Sequence, residues 1–107
     1  MFVKNIASLA RFDPAKMGKS TVAEAASLFA GLNCFEPGQE HAPHVHAGQD
    51  KLYLVLEGSG WVRIGDQEEQ LSAGDAALAP AGVLHSIRNP GPERLLVMAI
   101  LAPPPRK

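Results

Sequence analysis

From position 51 onward, glycine, proline and aspartate interrupt this chain about every ten residues, and that punctuation limits what it can fold into. Strand-length segments at 52–56, 61–64, 67–71, 76–79, 85–88 and 95–101 alternate with turn-forming clusters such as Glu57-Gly58-Ser59-Gly60, Ser72-Ala73-Gly74-Asp75 and Asn89-Pro90-Gly91-Pro92. Each run is shorter than an ordinary globular helix, so each reads as a strand. Continuous apolar runs fit strands covered by a second sheet, which predicts an all-β sandwich or barrel. A length of 107 residues suits one closed core, so 1–107 reads as a single domain. The last run ends at Pro103-Pro104-Pro105, which cannot donate to a ladder and marks the exit from the sheet.

The first third gives mixed signals. Asp13-Pro14 has the form of an N-cap followed by proline at the first helical position, predicting a short helical turn through Met17. Thr21-Val22-Ala23-Glu24 matches a capping box, and the alanines after it favour a helix over 22–29, with a strand as the competing reading.

Composition excludes several classes. The formal net charge is −1, with basic residues scattered rather than massed, so no electrostatic platform for nucleic acid is expected. The single cysteine, Cys34, rules out an intrachain disulfide, and its apolar neighbours predict a buried, inert thiol. No apolar run approaches the roughly 20 residues of a membrane-spanning helix. The N-terminal segment lacks a signal-peptide pattern, which leaves a cytoplasmic location as the default expectation.

Two segments carry chemistry. The first, 38–46, ends in His44-Val45-His46; on an extended chain, alternate side chains share a face, so the two imidazoles lie side by side as half of a metal site. By the same parity His41 points away and reads as a rim residue. The second, 74–89, bends through Pro80-Ala81-Gly82 to start a strand near His85. Together they resemble the two motifs of the cupin family. Gly38, His44, His46 and Gly58 match the first motif at its spacing, and Gly74, Pro80, Gly82, His85 and Asn89 match the second.

The matched region, 38–89, is about half the chain. The resemblance implies a small barrel of the double-stranded β-helix (jelly-roll, RmlC-like) type, with β-structure over residues 20–30. It also implies one divalent transition-metal ion (Fe, Mn, Ni or Zn) on His44, His46 and His85, and a fold-supporting role for Asn89. Because one-domain cupins commonly pair through such strands, the apolar run 95–101 implies a homodimer.

One departure stands out. Counting back from Gly58, the family's glutamate ligand falls at Lys51, which shares parity with Tyr53 and should face inward. An ammonium roughly 5 Å from a dication would repel it by on the order of 6 kcal/mol at an effective dielectric near 20. Lys51 must then be neutral, turn outward, or have displaced the metal. Gln49, on the same face, is the candidate neutral fourth ligand; Asp50 has the charge but the wrong parity without a bulge. Three neutral imidazoles leave the ion its full charge, which suits an anionic or enolisable small-molecule substrate. Lys51, as a base of lowered pKa, and Tyr53 are the candidate catalytic residues. The expected function is metal-dependent oxygenation or isomerisation of a small polar metabolite; the alternatives are a non-catalytic module that binds or senses a small molecule or metal, and a metal-free sugar-binding barrel. Trp61, Phe29 and Phe35 read as packing residues.

Overall fold

The computed structural model describes residues 1–105. Among them run nine strands: β1 (Gly18–Ala25), β2 (Leu28–Phe35), β3 (Glu40–His44), β4 (Asp50–Glu57), β5 (Ser59–Ile64), β6 (Gln67–Ser72), β7 (Ala76–Ala79), β8 (His85–Arg88) and β9 (Leu95–Ala102). Five form one antiparallel sheet in the order β1-β2-β9-β4-β7, and four form a second in the order β3-β8-β5-β6. The chain crosses between the sheets repeatedly, which gives the expected double-stranded β-helix.

Alternation along the strands builds the space between the sheets. On β4, Lys51, Tyr53 and Val55 are buried while Asp50 and Leu52 are exposed. Tyr53 and Val55 join Phe35, Val62, Ile87, Leu95, Val97 and Ala99 in the core. Each large apolar side chain buried there contributes roughly 1.5–3 kcal/mol. Phe35 is thus a packing residue, as expected.

A second apolar cluster lies outside the five-stranded sheet. Leu32, Cys34 and Leu96 pack there under a segment that includes Val3, Ile6, Leu9 and Phe12, with a 3-10 turn at Ile6–Leu9. The Cys34 thiol is fully buried, burial pushes its pKa up, and its sulfur accepts the Arg11 N–H at 3.3 Å. The apolarity of β9 follows from its position: it lies between β2 and β4, with one face in the core and the other partly covered by this segment. Burial within the chain therefore accounts for much of the run's apolarity.

Two expectations for the N-terminal third are corrected. Asp13-Pro14 starts a bend, in which the Asp13 carboxylate accepts the Ala15 N–H at 2.8 Å; the helical turn lies earlier, at Ile6–Leu9. Residues 22–29 are not helical but form parts of β1, β2 and the hairpin between them. Alanine's helix preference is worth under about 1 kcal/mol per residue, and it yields to the β1–β2 ladder, in which Ala23, Glu24 and Ala25 pair with Ala30, Phe29 and Leu28. No helix among the described residues is long and apolar enough to cross a membrane.

Asn89 joins the two motif segments. Its side chain donates to the carbonyls of Phe35 at 3.1 Å and Glu93 at 2.8 Å and accepts the Gly91 N–H at 2.9 Å. Its own carbonyl accepts the N–H of Gly38, the first motif residue, at 2.8 Å. Gly58 has φ +81°, and a Cβ there would run into the Arg94 carbonyl oxygen. Replacing Asn89 with leucine removes three side-chain hydrogen bonds at roughly 1 kcal/mol each. Urea unfolding of Asn89→Leu should therefore show a loss of about 3 kcal/mol, and a loss below about 0.5 kcal/mol would refute this role.

Candidate metal centre

His44 on β3 lies directly opposite His85 on β8 in the antiparallel ladder, and their ring centroids are 4.1 Å apart. His46 follows two residues after His44, and its carbonyl accepts the Gly82 N–H at 3.0 Å, so the Pro80-Ala81-Gly82 turn holds it beside His85. One nitrogen from each of the three lies within 4.8 Å of the others. Imidazoles around zinc at about 2.1 Å stand roughly 3.4 Å apart in a tetrahedron, so small side-chain rotations bring all three onto one ion.

The protonation pattern suits that use. His44 Nδ1 lies 2.7 Å from the Ala42 carbonyl and His85 Nδ1 lies 3.0 Å from the Val83 carbonyl. A carbonyl only accepts, so each Nδ1 carries the proton and each Nε2 keeps a free lone pair. Both Nε2 atoms are buried and have no hydrogen-bond partner among the described residues. Burial lowers the pKa of all three histidines, and the Lys51 charge lowers each further, which holds the rings neutral as ligands must be.

His41 departs from its expected orientation. A bulge between His41 and His44 inserts one residue opposite β8 and reverses the parity, so His41 stacks on His44 with centroids 4.1 Å apart. It lines the cavity in front of the histidines, and burial, followed by the Lys51 charge, holds its pKa down to about 3. It lies outside the three-nitrogen cluster.

Lys51 points inward, as its parity with Tyr53 requires, and is 4% exposed. Its Nζ sits 4.9 Å from the centre of the Tyr53 ring, and burial, reinforced by the Lys19 charge, lowers its pKa to about 8. Tyr53 lies in the core with its ring centroid 6.0 Å from that of His85; its hydroxyl is buried without a partner. Burial raises its pKa, and it reaches the site through its ring rather than by lining the cavity. Gln49 lines the cavity, with Nε2 donating to the Pro103 carbonyl at 3.0 Å. Asp50 is exposed and accepts the Ala81 N–H at 2.9 Å, so it braces the turn instead of facing the site.

The cavity, about 430 Å³, is also lined by Lys19, Phe29 and Asn33 from β1 and β2. These residues belong to neither motif. The only signs of them in the sequence are an asparagine and a glycine, Asn33 and Gly31, inside an otherwise apolar run.

Comparison with known proteins agrees with this geometry. A crystal structure of a protein from Thermus thermophilus superposes with a TM-score of 0.93 at 41% identity, covering 98% of this chain and all of that one. An uncharacterized protein of Aquifex aeolicus is 36% identical over 61 residues, 57% of this chain and 50% of its own length. Auxin-binding protein 1 of Arabidopsis thaliana is 28% identical over 121 residues, covering 98% of this chain and 61% of its own length. The chain thus spans between half and two thirds of the length of these two curated relatives. Residues 31–101 match the Cupin domain family, a stretch that includes both motifs and every strand from β3 to β8 whole, and on that match the chain belongs to the cupins.

Proposed function

We propose that this protein holds one divalent transition-metal ion on His44, His46 and His85 and uses it to oxygenate or isomerise a small polar metabolite. The observation that carries the reading is the pair of buried, partnerless Nε2 atoms on His44 and His85, each fixed as a lone-pair donor by a carbonyl on the opposite ring nitrogen. Iron, manganese, nickel and zinc all accept imidazole, and Gln49 Oε1 is the proposed fourth ligand. The relative named for binding auxin supports a small-molecule ligand.

When bound, the ion supplies Lewis acidity at a substrate oxygen. Lys51 Nζ, with its pKa near 8, is partly neutral at neutral pH and would take a proton from the carbon adjacent to a carbonyl carbon, the electron pair passing to the carbonyl oxygen. Tyr53 holds Lys51 and His85 in place through its ring. The competing reading is a binding or sensing module without catalysis. It is favoured by the lack of any carboxylate among the described cavity-lining residues, none of which gives Lys51 an acidic partner. Oxygen uptake and proton exchange with small acids, diketones and thiols separate the two.

Metal analysis of the purified protein should give about one ion per chain. His44→Ala/His85→Ala should lower this at least tenfold, and full retention of metal would refute the site. Because all three pKa values lie below that of free imidazole, metal should stay bound at pH values where a free imidazole is already protonated, and affinity should fall only on further acidification.

Lys51→Met tests the inward ammonium. The folded pKa, about 8, lies below the unfolded value near 10.5, so the unfolded chain binds more protons between those values and wild-type stability rises with pH across that window. The penalty is complete below pH 8 and amounts to at most about 3 kcal/mol. The metal-free variant should therefore be more stable than wild type at pH 7, with the advantage shrinking toward pH 10.5, and should bind metal more tightly; equal stability at pH 7 would count against a buried charge.

We also propose self-association through the outer face of β4 and β7. Leu52 and Leu78 pair there across the strands and are 37% and 57% exposed. Sedimentation should show a dimer that Leu78→Glu dissociates, and a wild-type monomer would refute it.

A further inference from the structure

The cavity is larger than an ion needs, and the wall contributed by the five-stranded sheet explains why. In it Gly31 of β2 pairs with the small Ala99 of β9, and the missing side chain at Gly31 leaves room for the Phe29 ring. A Cβ at Gly31 would come within 2.8 Å of the Phe29 ring, which leans across that position. Phe29 and Leu101 give the cavity an apolar flank. A volume of about 430 Å³ with such a flank suits a small organic molecule.

Three side chains on this wall present donors, beside the Ser20 and Thr21 hydroxyls, which can donate or accept. Asn33 is 7% exposed, lines the cavity, and its Nδ2 has no hydrogen-bond partner. Lys19 lies beside Asn33 in the β1–β2 ladder and also lines the cavity. Lys51, on β4, completes the set, and its Nζ donates whether charged or neutral. Among the described residues no aspartate or glutamate lines the cavity.

We propose that this wall is a carboxylate-binding subsite: a small organic anion places its carboxylate on Asn33 Nδ2 and Lys51 Nζ, with Lys19 adding positive charge, and lays its apolar body on Phe29 and Leu101. The subsite deepens the metal-centred reading and rests on it only for where the rest of the molecule points, toward the imidazoles. Anion recognition itself needs no ion.

Benzoate and its neutral isostere benzamide are the probes, titrated calorimetrically into the metal-free and the zinc-loaded full chain at pH 7. Benzoate should bind both forms at least tenfold more tightly than benzamide. Asn33→Leu should cost at least tenfold in benzoate affinity with benzamide little changed. Should that variant fail to fold, Lys19→Glu, an exposed position, should weaken benzoate at least threefold, and added salt should shrink the difference. Equal binding of the two probes, no binding of benzoate at millimolar concentration, or unchanged benzoate affinity in both variants would overturn the subsite. Discrimination that persists in a protein unable to hold zinc would refute the metal centre and leave the subsite standing.

Discussion

A buried imidazole that gives its Nδ1 proton to a backbone carbonyl must still find something for Nε2. In water that lone pair would accept a hydrogen bond; inside a barrel, leaving it bare costs on the order of 1–3 kcal/mol. This chain does so twice, at His44 and His85, on rings that face each other across one ladder. The surrounding structure supports that arrangement. Asp50 and the His46 carbonyl brace the turn before His85. The carbonyls of Ala42 and Val83 set the tautomers, and Asn89 joins the ends of the two motif segments. A cation at the shared point takes a lone pair from all three imidazoles at once, whereas a water has only two O–H groups to donate.

Lys51 changes the electrostatics of such a site. Where the family motif has a carboxylate, this chain has an amine, so with both groups ionised the local charge is two units more positive. The barrel accommodates the amine by burying it against the Tyr53 ring, where the face of an aromatic attracts a cation and desolvation favours the neutral base. Metal and lysine can then share the cavity if the lysine gives up its proton, which makes its basicity a property of the loaded site and links the two chemistries. An anionic ligand would ease the same conflict from the other side.

Legibility in the sequence followed the strength of the local signals. The strand at 76–79 and the one at 85–88 have the bounds expected from their turn residues, because glycine and proline there dictate backbone geometry directly. The three histidines were visible because motif spacing and strand parity act on the same residues. Parity failed at His41, where an inserted residue near Pro43 reverses the face without changing any local propensity. Helix propensity misled over 22–29, where alanine's preference yields to ladder bonds within the β1–β2 hairpin. Asn33 and Lys19 could not be found locally, since what makes them part of the site is that β2 lies next to β9 in the finished sheet.

That last point bears on how the cavity arises. A barrel that only had to be stable would fill its centre, because each buried methylene is worth about 0.8 kcal/mol. Here the ladder brings Gly31 and Ala99 together at the middle of the wall and sets the unpartnered Asn33 amide one inward-facing position away on the same strand. A binding site for an ion alone needs neither feature. Hydrogen bonding is given up at Asn33, in a cavity that His44 and His46 also line. Losses grouped in this way are expected where a ligand restores them, so the open wall and the histidines belong to one site.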